Sequence, residues 1–210
     1  MLTKLQKLII DKWTVNDPLP NENVWACVMI SHGATDTHLT KASKTVLEFT
    51  DIMTALERLK KATVLFCTFA GSSKKGQVLE LGIKRDFLQI AIHCGVVWST
   101  IEECLAIIPQ IPKYLSPIVI FTDAAHSRRC KLVWETLLPD TEIYVLSIPI
   151  SGAVDPESPM VVYRSVWKLL FFHIAPMIIF WPVAKIFGKK GLIWISKFHQ
   201  PTTKKPARHL

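Results

Sequence analysis

The residues best able to do chemistry in this chain gather in Ile118-Val-Ile-Phe-Thr-Asp-Ala-Ala-His-Ser-Arg-Arg-Cys130. A short apolar run stops at Thr122-Asp123, and His126, Arg128 and Arg129 then fall in the first turns of a helical pattern. The pattern predicts a buried parallel strand feeding a helix. At such a helix start, free backbone N–H groups and the dipole favour an anion. His126 and Arg129 stand three apart and so share a helix face. Arg129 could grip a phosphate or carboxylate through two parallel N–H bonds. His126 could donate to the same group or act as a general acid or base. The plainer reading of the two is a surface pair beside Asp123.

A second helix start lies in Trp98-Ser-Thr-Ile-Glu-Glu-Cys104. Thr100 could turn its hydroxyl to the same ligand, or simply cap the helix. Glu102 and Glu103 could complement the helix dipole. Glu80 could face the crevice, or pair with Lys84 one turn on. His32, Asp36 and His38 could be read as metal ligands. With no cysteine or second cluster beside them, they read better as loop chemistry, and no metal site is expected. Gly71 and Gly76 have the separation of a P-loop, but the G-K-[ST] ending is missing. No G-x-S-x-G elbow occurs.

Several further elements must position these groups. Val24–Ile30, Thr63–Phe69, Val96–Trp98, Ile118–Thr122 and Glu142–Pro149 read as strands by their apolar runs and by the polar or glycine-containing loops that end them. Helical spacing runs through Ala42–Lys61, Val78–Cys94, Ser99 to about Ile111, and Ala125–Leu138. Pro109 or Pro112 breaks the third of these helices. Strands alternating with helices imply an α/β fold: a Rossmann-like parallel sheet of about five strands, with helices on both faces and right-handed crossovers. Ligands of such sheets bind at the carboxyl ends of the strands. There the loops that follow the first two strands place Gly33 and Gly71.

From Val24 to Ile150 this pattern resembles the ElyC/SanA/YdcF family of α/β domains, found largely in bacterial envelope and stress contexts. By that resemblance His126 and Arg129 take the family's His and Arg positions. Thr100 and Glu102 match its Ser/Thr-Thr-x-Glu-Asn-Ala stretch, Glu80 its helix-borne Glu, and Gly71 its glycine loop. Two departures stand out. Glu103 replaces the family's Asn, putting an anion where a neutral donor and acceptor is usual. Ser31-His-Gly-Ala-Thr-Asp36 matches the family's first glycine-containing loop only loosely. The resemblance implies nucleotide-like ligands and brings no defined reaction with it.

The charge of the chain is unevenly placed. Up to Glu157, 16 Lys and Arg face all 17 acidic residues; beyond it there are 9 Lys and Arg and no acid. The basic pI therefore belongs to the last quarter, and its apolar neighbours favour a membrane over nucleic acid as partner. Leu169–Ala184 is a charge-free run of sixteen residues holding Pro176 and Pro182. A spanning helix wants about 20. Flanking lysines and aromatics (Trp167, Phe171, Phe172, Trp181, Phe187, Trp194, Phe198) suit a re-entrant or interfacial segment; a tilted span and a hairpin packed on the body are the other readings. His199–Leu210 is polar and basic and reads as disordered. Met1–Trp13 reads as an amphipathic helix rather than a signal peptide, packed on the body or resting on a bilayer. Five scattered cysteines without a CxxC read as buried free thiols.

The expectation is thus an α/β domain over residues 1–157 and a membrane-associated helical segment with a basic tail over 158–210. Gly33, Gly71, Glu80, Thr100, Glu103 and Arg129 would bind an anionic small molecule, with His126 as the catalytic candidate. Whether the chain is an enzyme on a phosphate compound or a non-enzymatic, membrane-tethered interaction protein stays open. So do cofactor and oligomeric state. The expected location is the cytoplasmic face of a membrane.

Overall fold

The computed structural model describes residues 2–88, 90–111, 117–158 and 160–198. Pro112, Pro159 and the His199–Leu210 tail lie outside the described residues. Five parallel strands form one sheet: β1 (Ala26–Met29), β2 (Thr63–Phe69), β3 (Ala91–Val97), β4 (Ile118–Asp123) and β5 (Ile143–Ile148). Their spatial order is β3-β2-β1-β4-β5. The chain works outward from β1 to β3, then crosses back to place β4 on the other side of β1. Strand order therefore reverses between β1 and β4, the position where open α/β sheets open a crevice.

The two central strands are buried along their whole length, which explains their uninterrupted apolar runs. Alternate residues of β1 serve opposite faces. Ala26 and Val28 join one core with Ile101, Cys104 and Trp134, from helices α4 (Thr100–Ile107) and α5 (Ala124–Leu137). Cys27 and Met29 join a second core with Val46 and Leu47 from helix α2 (Lys41–Thr54). Helix α3 (Lys74–Phe87) adds Leu79 and Ile83 to that second face. All five cysteines are free thiols, and all but Cys94 are buried.

The structure corrects four boundaries. The helical pattern read through Val78–Cys94 ends at Phe87, and β3 starts at Ala91 rather than Val96. The strand β3 lies at the sheet edge and is half-exposed, with Ile92 and Val96 facing solvent, so its residues lack the buried run that marks the inner strands. Helix α2 stops at Thr54 and continues as turns toward Lys61. Helix α4 gives way at Ile108–Gln110 to a short 3-10 turn holding Pro109.

The first helix, α1 (Lys4–Trp13), packs on the body. Trp13 Nε1 donates to Ala125 O, and Arg128 donates to the backbone carbonyls of Lys12 and Trp13. A short helix α6 (Ile150–Ala153) opens the turn-rich connection to α7 (Val166–Ile174) and α8 (Met177–Phe198). The helix α8 is broken at Gly188, whose φ of 54° a side chain would resist, rather than at Pro182. Val166–Lys197 is long and apolar enough to associate with a membrane. One side of it belongs to the body's core: Met177, Phe180, Ala184, Leu192 and Ile195 pack with Trp134 and Ile101. The other side exposes Phe171, Ile178, Trp181, Ile186, Phe187 and Trp194.

Candidate functional site

Ser31 and His32 follow β1 directly, and Asp123 ends β4, so both arrive at the switch point from the central strands. Asp123 caps α5: its Oδ1 accepts from the N–H groups of Ala125 (2.8 Å) and His126 (3.0 Å). That bond pair fixes the first turn of the helix and points His126 inward. Its side chain is only 5% exposed, so the surface-pair reading fails. His126 Nε2 lies 2.8 Å from Thr100 Oγ1 and 2.8 Å from an Arg129 terminal nitrogen. A guanidinium has only donors, so Nε2 carries the lone pair and Nδ1 the proton.

Ser99, not Thr100, caps α4, by accepting from the Glu102 N–H. Thr100 is the first residue inside the helix, and its hydroxyl is thereby free to meet His126. Glu102 turns back to accept from the Trp98 N–H at 2.7 Å. Glu103 is buried and accepts from the Ser31 N–H at 3.0 Å. Burial pushes its carboxyl up to about 8, the Ser31 bond and Lys84 opposing the rise. At neutral pH the group is therefore mostly protonated: a neutral donor and acceptor.

These side chains border a cavity of about 400 Å³ at the carboxyl edge of the sheet. Thr100, Glu103, His126 and Arg129 line it, as the sequence suggested. The other candidates stand behind the wall. A side chain at Gly33 (φ 78°) would meet Met160 Cε at 2.4 Å, and one at Gly71 would enter the Phe69 ring at 2.3 Å. Both neighbours line the cavity, so the two glycines let its rim close up. Glu80 is fully buried and bonded to Lys84 at 2.7 Å, to the Ser31 hydroxyl at 2.8 Å and to the Phe69 N–H at 3.2 Å. It takes the internal-pair reading and braces the β1 and β2 loops.

Other residues enter the wall that sequence reasoning did not place there. His32 leaves its loop neighbours. His38 bonds Thr35 and Thr37, and Asp36 accepts from Ser73 Oγ. His32 Nδ1 instead lies 2.9 Å from the Tyr163 hydroxyl and 3.5 Å from Asp123 Oδ2. Burial, with Lys84 and Arg129 adding to it, holds His32 down at about 3, so this is a neutral ring beside a carboxylate. Burial raises Asp123 to about 6, against its two backbone bonds. His126 is held well below its ordinary value, first by burial and then by Arg129. His173 of α7 stacks on His126 at 4.7 Å between ring centroids, and Phe172 lines the mouth. The tail thus supplies one wall of the site. Its only sequence signal was a lone histidine inside a charge-free run.

The arrangement sets a guanidinium beside the cavity, while Asp123 and Ser99 already take N–H groups at the two helix starts. It also holds a hydroxyl, Thr100, against a deprotonated imidazole nitrogen. A scan against protein-family models finds no match, and neither the curated proteins nor the solved structures give one.

Proposed function

We propose that this is a membrane-associated α/β protein of the ElyC/SanA/YdcF type, binding an anionic small molecule at the carboxyl edge of its sheet. The ligand class is a nucleotide or a lipid- or sugar-phosphate. One observation carries the reading: Arg129, His126 and Thr100 converge within hydrogen-bond distance on the cavity, from the N-terminal parts of α4 and α5. Arg129 lines that cavity, and its buried Nε has no hydrogen-bond partner among the described residues. Native mass spectrometry of the full chain with ADP and with inorganic phosphate tests it. Bound mass that Arg129→Ala removes supports the reading; equal binding by both proteins refutes it.

The Thr100–His126 contact favours a second reading, an enzyme acting on a phosphate compound with His126 as acid or base. Burial and Arg129 leave the ring neutral, so it would start as a base. Turnover of phosphorylated metabolites that His126→Ala abolishes, with binding retained, would separate catalysis from capture.

For the membrane, the outward side of α7 and α8 is the contact. Its inner side is committed to the body's core, so the segment lies along a surface rather than crossing it. Exposed aromatics with lysines beside them suit the bilayer interface, and lysines following the apolar run favour the cytoplasmic side. Deleting the helices would uncover core residues, so replacement of the outer face is the cleaner test. Phe171→Ser, Trp181→Ser and Phe187→Ser together abolish liposome flotation while far-UV circular dichroism stays unchanged; undiminished flotation would refute the contact.

A further inference from the structure

We infer that His32, Asp123 and His126 form a binding site for one divalent first-row metal ion, independent of whether the cavity takes a phosphate. One ligand atom from each residue lies within 4.8 Å of those of the other two, and all three residues are buried. His32 Nδ1 and Asp123 Oδ2 stand 3.5 Å apart. Two ligands about 2.0–2.2 Å from a tetrahedral ion stand about 3.4 Å apart.

The bonding inventory points the same way. Asp123 gives Oδ1 to the helix cap and keeps Oδ2 without a hydrogen-bond partner among the described residues. His126 has Nε2 engaged and Nδ1 without a partner. Buried polar atoms are rarely left in that state. Two such atoms converging beside His32 Nδ1 are better explained by a missing centre than by two separate faults; His32 Nδ1 must exchange the Tyr163 hydroxyl for the ion. The set of two imidazoles and one carboxylate suits Zn²⁺, and leaves positions open for water or a ligand from the cavity.

The surroundings supply the supports a metal site needs. The cap bonds fix the carboxylate. For His126 to ligate through Nδ1, its ring proton must sit on Nε2, where Thr100 Oγ1 at 2.8 Å can accept it. Arg129, which can only donate, must then release Nε2. Arg129 therefore opposes the ion, by tautomer and by charge, while it favours an anion. The two proposals consequently predict opposite signs for one substitution.

The test is calorimetric titration of the chelator-stripped full chain, in mild detergent, with Zn²⁺ alone. The expected result is one ion per chain. His32→Ala and Asp123→Asn, the latter keeping a capping oxygen, should each weaken it by about 10-fold or more. Arg129→Ala should bind Zn²⁺ at least as tightly as the parent, and His38→Ala equally. Co²⁺ should give visible d–d absorption that Asp123→Asn abolishes, a readout that mere loss of stability does not mimic when circular dichroism is unchanged. No saturable binding, or equal affinity in His32→Ala and Asp123→Asn, overturns the site.

Discussion

Two buried polar clusters lie side by side at the carboxyl edge of this sheet, and they are built on opposite terms. In one, Glu80 receives Lys84, the Ser31 hydroxyl and the Phe69 N–H, and Lys84 also reaches Cys67 O at 3.2 Å. Every oxygen of the carboxylate is occupied. In the other, His32 Nε2, Asp123 Oδ2, His126 Nδ1, Arg129 Nε and both ring nitrogens of His173 have no hydrogen-bond partner among the described residues. Taking polar groups out of water without replacing their bonds costs stability. The first cluster recovers that cost internally and holds the loops. The second does not, and the proposed ligand and ion are what would complete its bonding. Burial is common to both clusters; the count of unmet bonds is what separates them.

The contrast can be broken most forcefully from the bracing side. We predict that Lys84→Met costs about 3–5 kcal/mol in denaturant unfolding, because Glu80 is left a buried, unpaired charge. A loss under about 1 kcal/mol would show that water or relaxation replaces the lysine, and the contrast would fail. Arg129→Ala should reverse the pattern. It should change stability by about 1 kcal/mol or less and weaken phosphate binding about 10- to 100-fold. A large loss of stability with unchanged binding would place Arg129 with the braces.

Glu103 stands between the clusters, and pH sharpens its position. Its folded carboxyl titrates near 8, above its ordinary 4.5, so the native state binds the extra proton between those values. Its contribution to stability is then present at low pH and is lost as pH rises from about 5 through 8, by at most about 1.4 kcal/mol per pH unit. Glu103→Gln keeps an acceptor for Ser31, and should flatten that slope and raise stability at pH 9. A slope identical in both proteins would remove Glu103 as its source. The smallest effect belongs to His38→Ala. Exposed and bonded only within its own loop, it should shift stability by less than about 0.5 kcal/mol.

Local patterns carried much of this. The apolar runs of β1, β2 and β4, each ended by a polar or glycine turn, were enough to define a parallel sheet. The spacing of His126 and Arg129 after a strand was enough to find the crevice. Local patterns failed at β3: an edge strand buries too little to show a strand's periodicity, and its residues joined the preceding helical pattern instead. They left open whether Thr100 caps its helix, which Ser99 resolves by taking that bond.

By itself the sequence determined the alternation of strands and helices and the apolar, basic character of the last quarter. Each of these is written in residues a few positions apart, within the reach of a single turn or pleat. Only the tertiary structure decided that His32, His126, Tyr163 and His173 share one wall, that burial raises the Glu103 carboxyl, and that the tail gives one side to the core and the other to the surroundings. Those facts depend on burial and on neighbours up to 131 positions apart in the chain, and no local period encodes them.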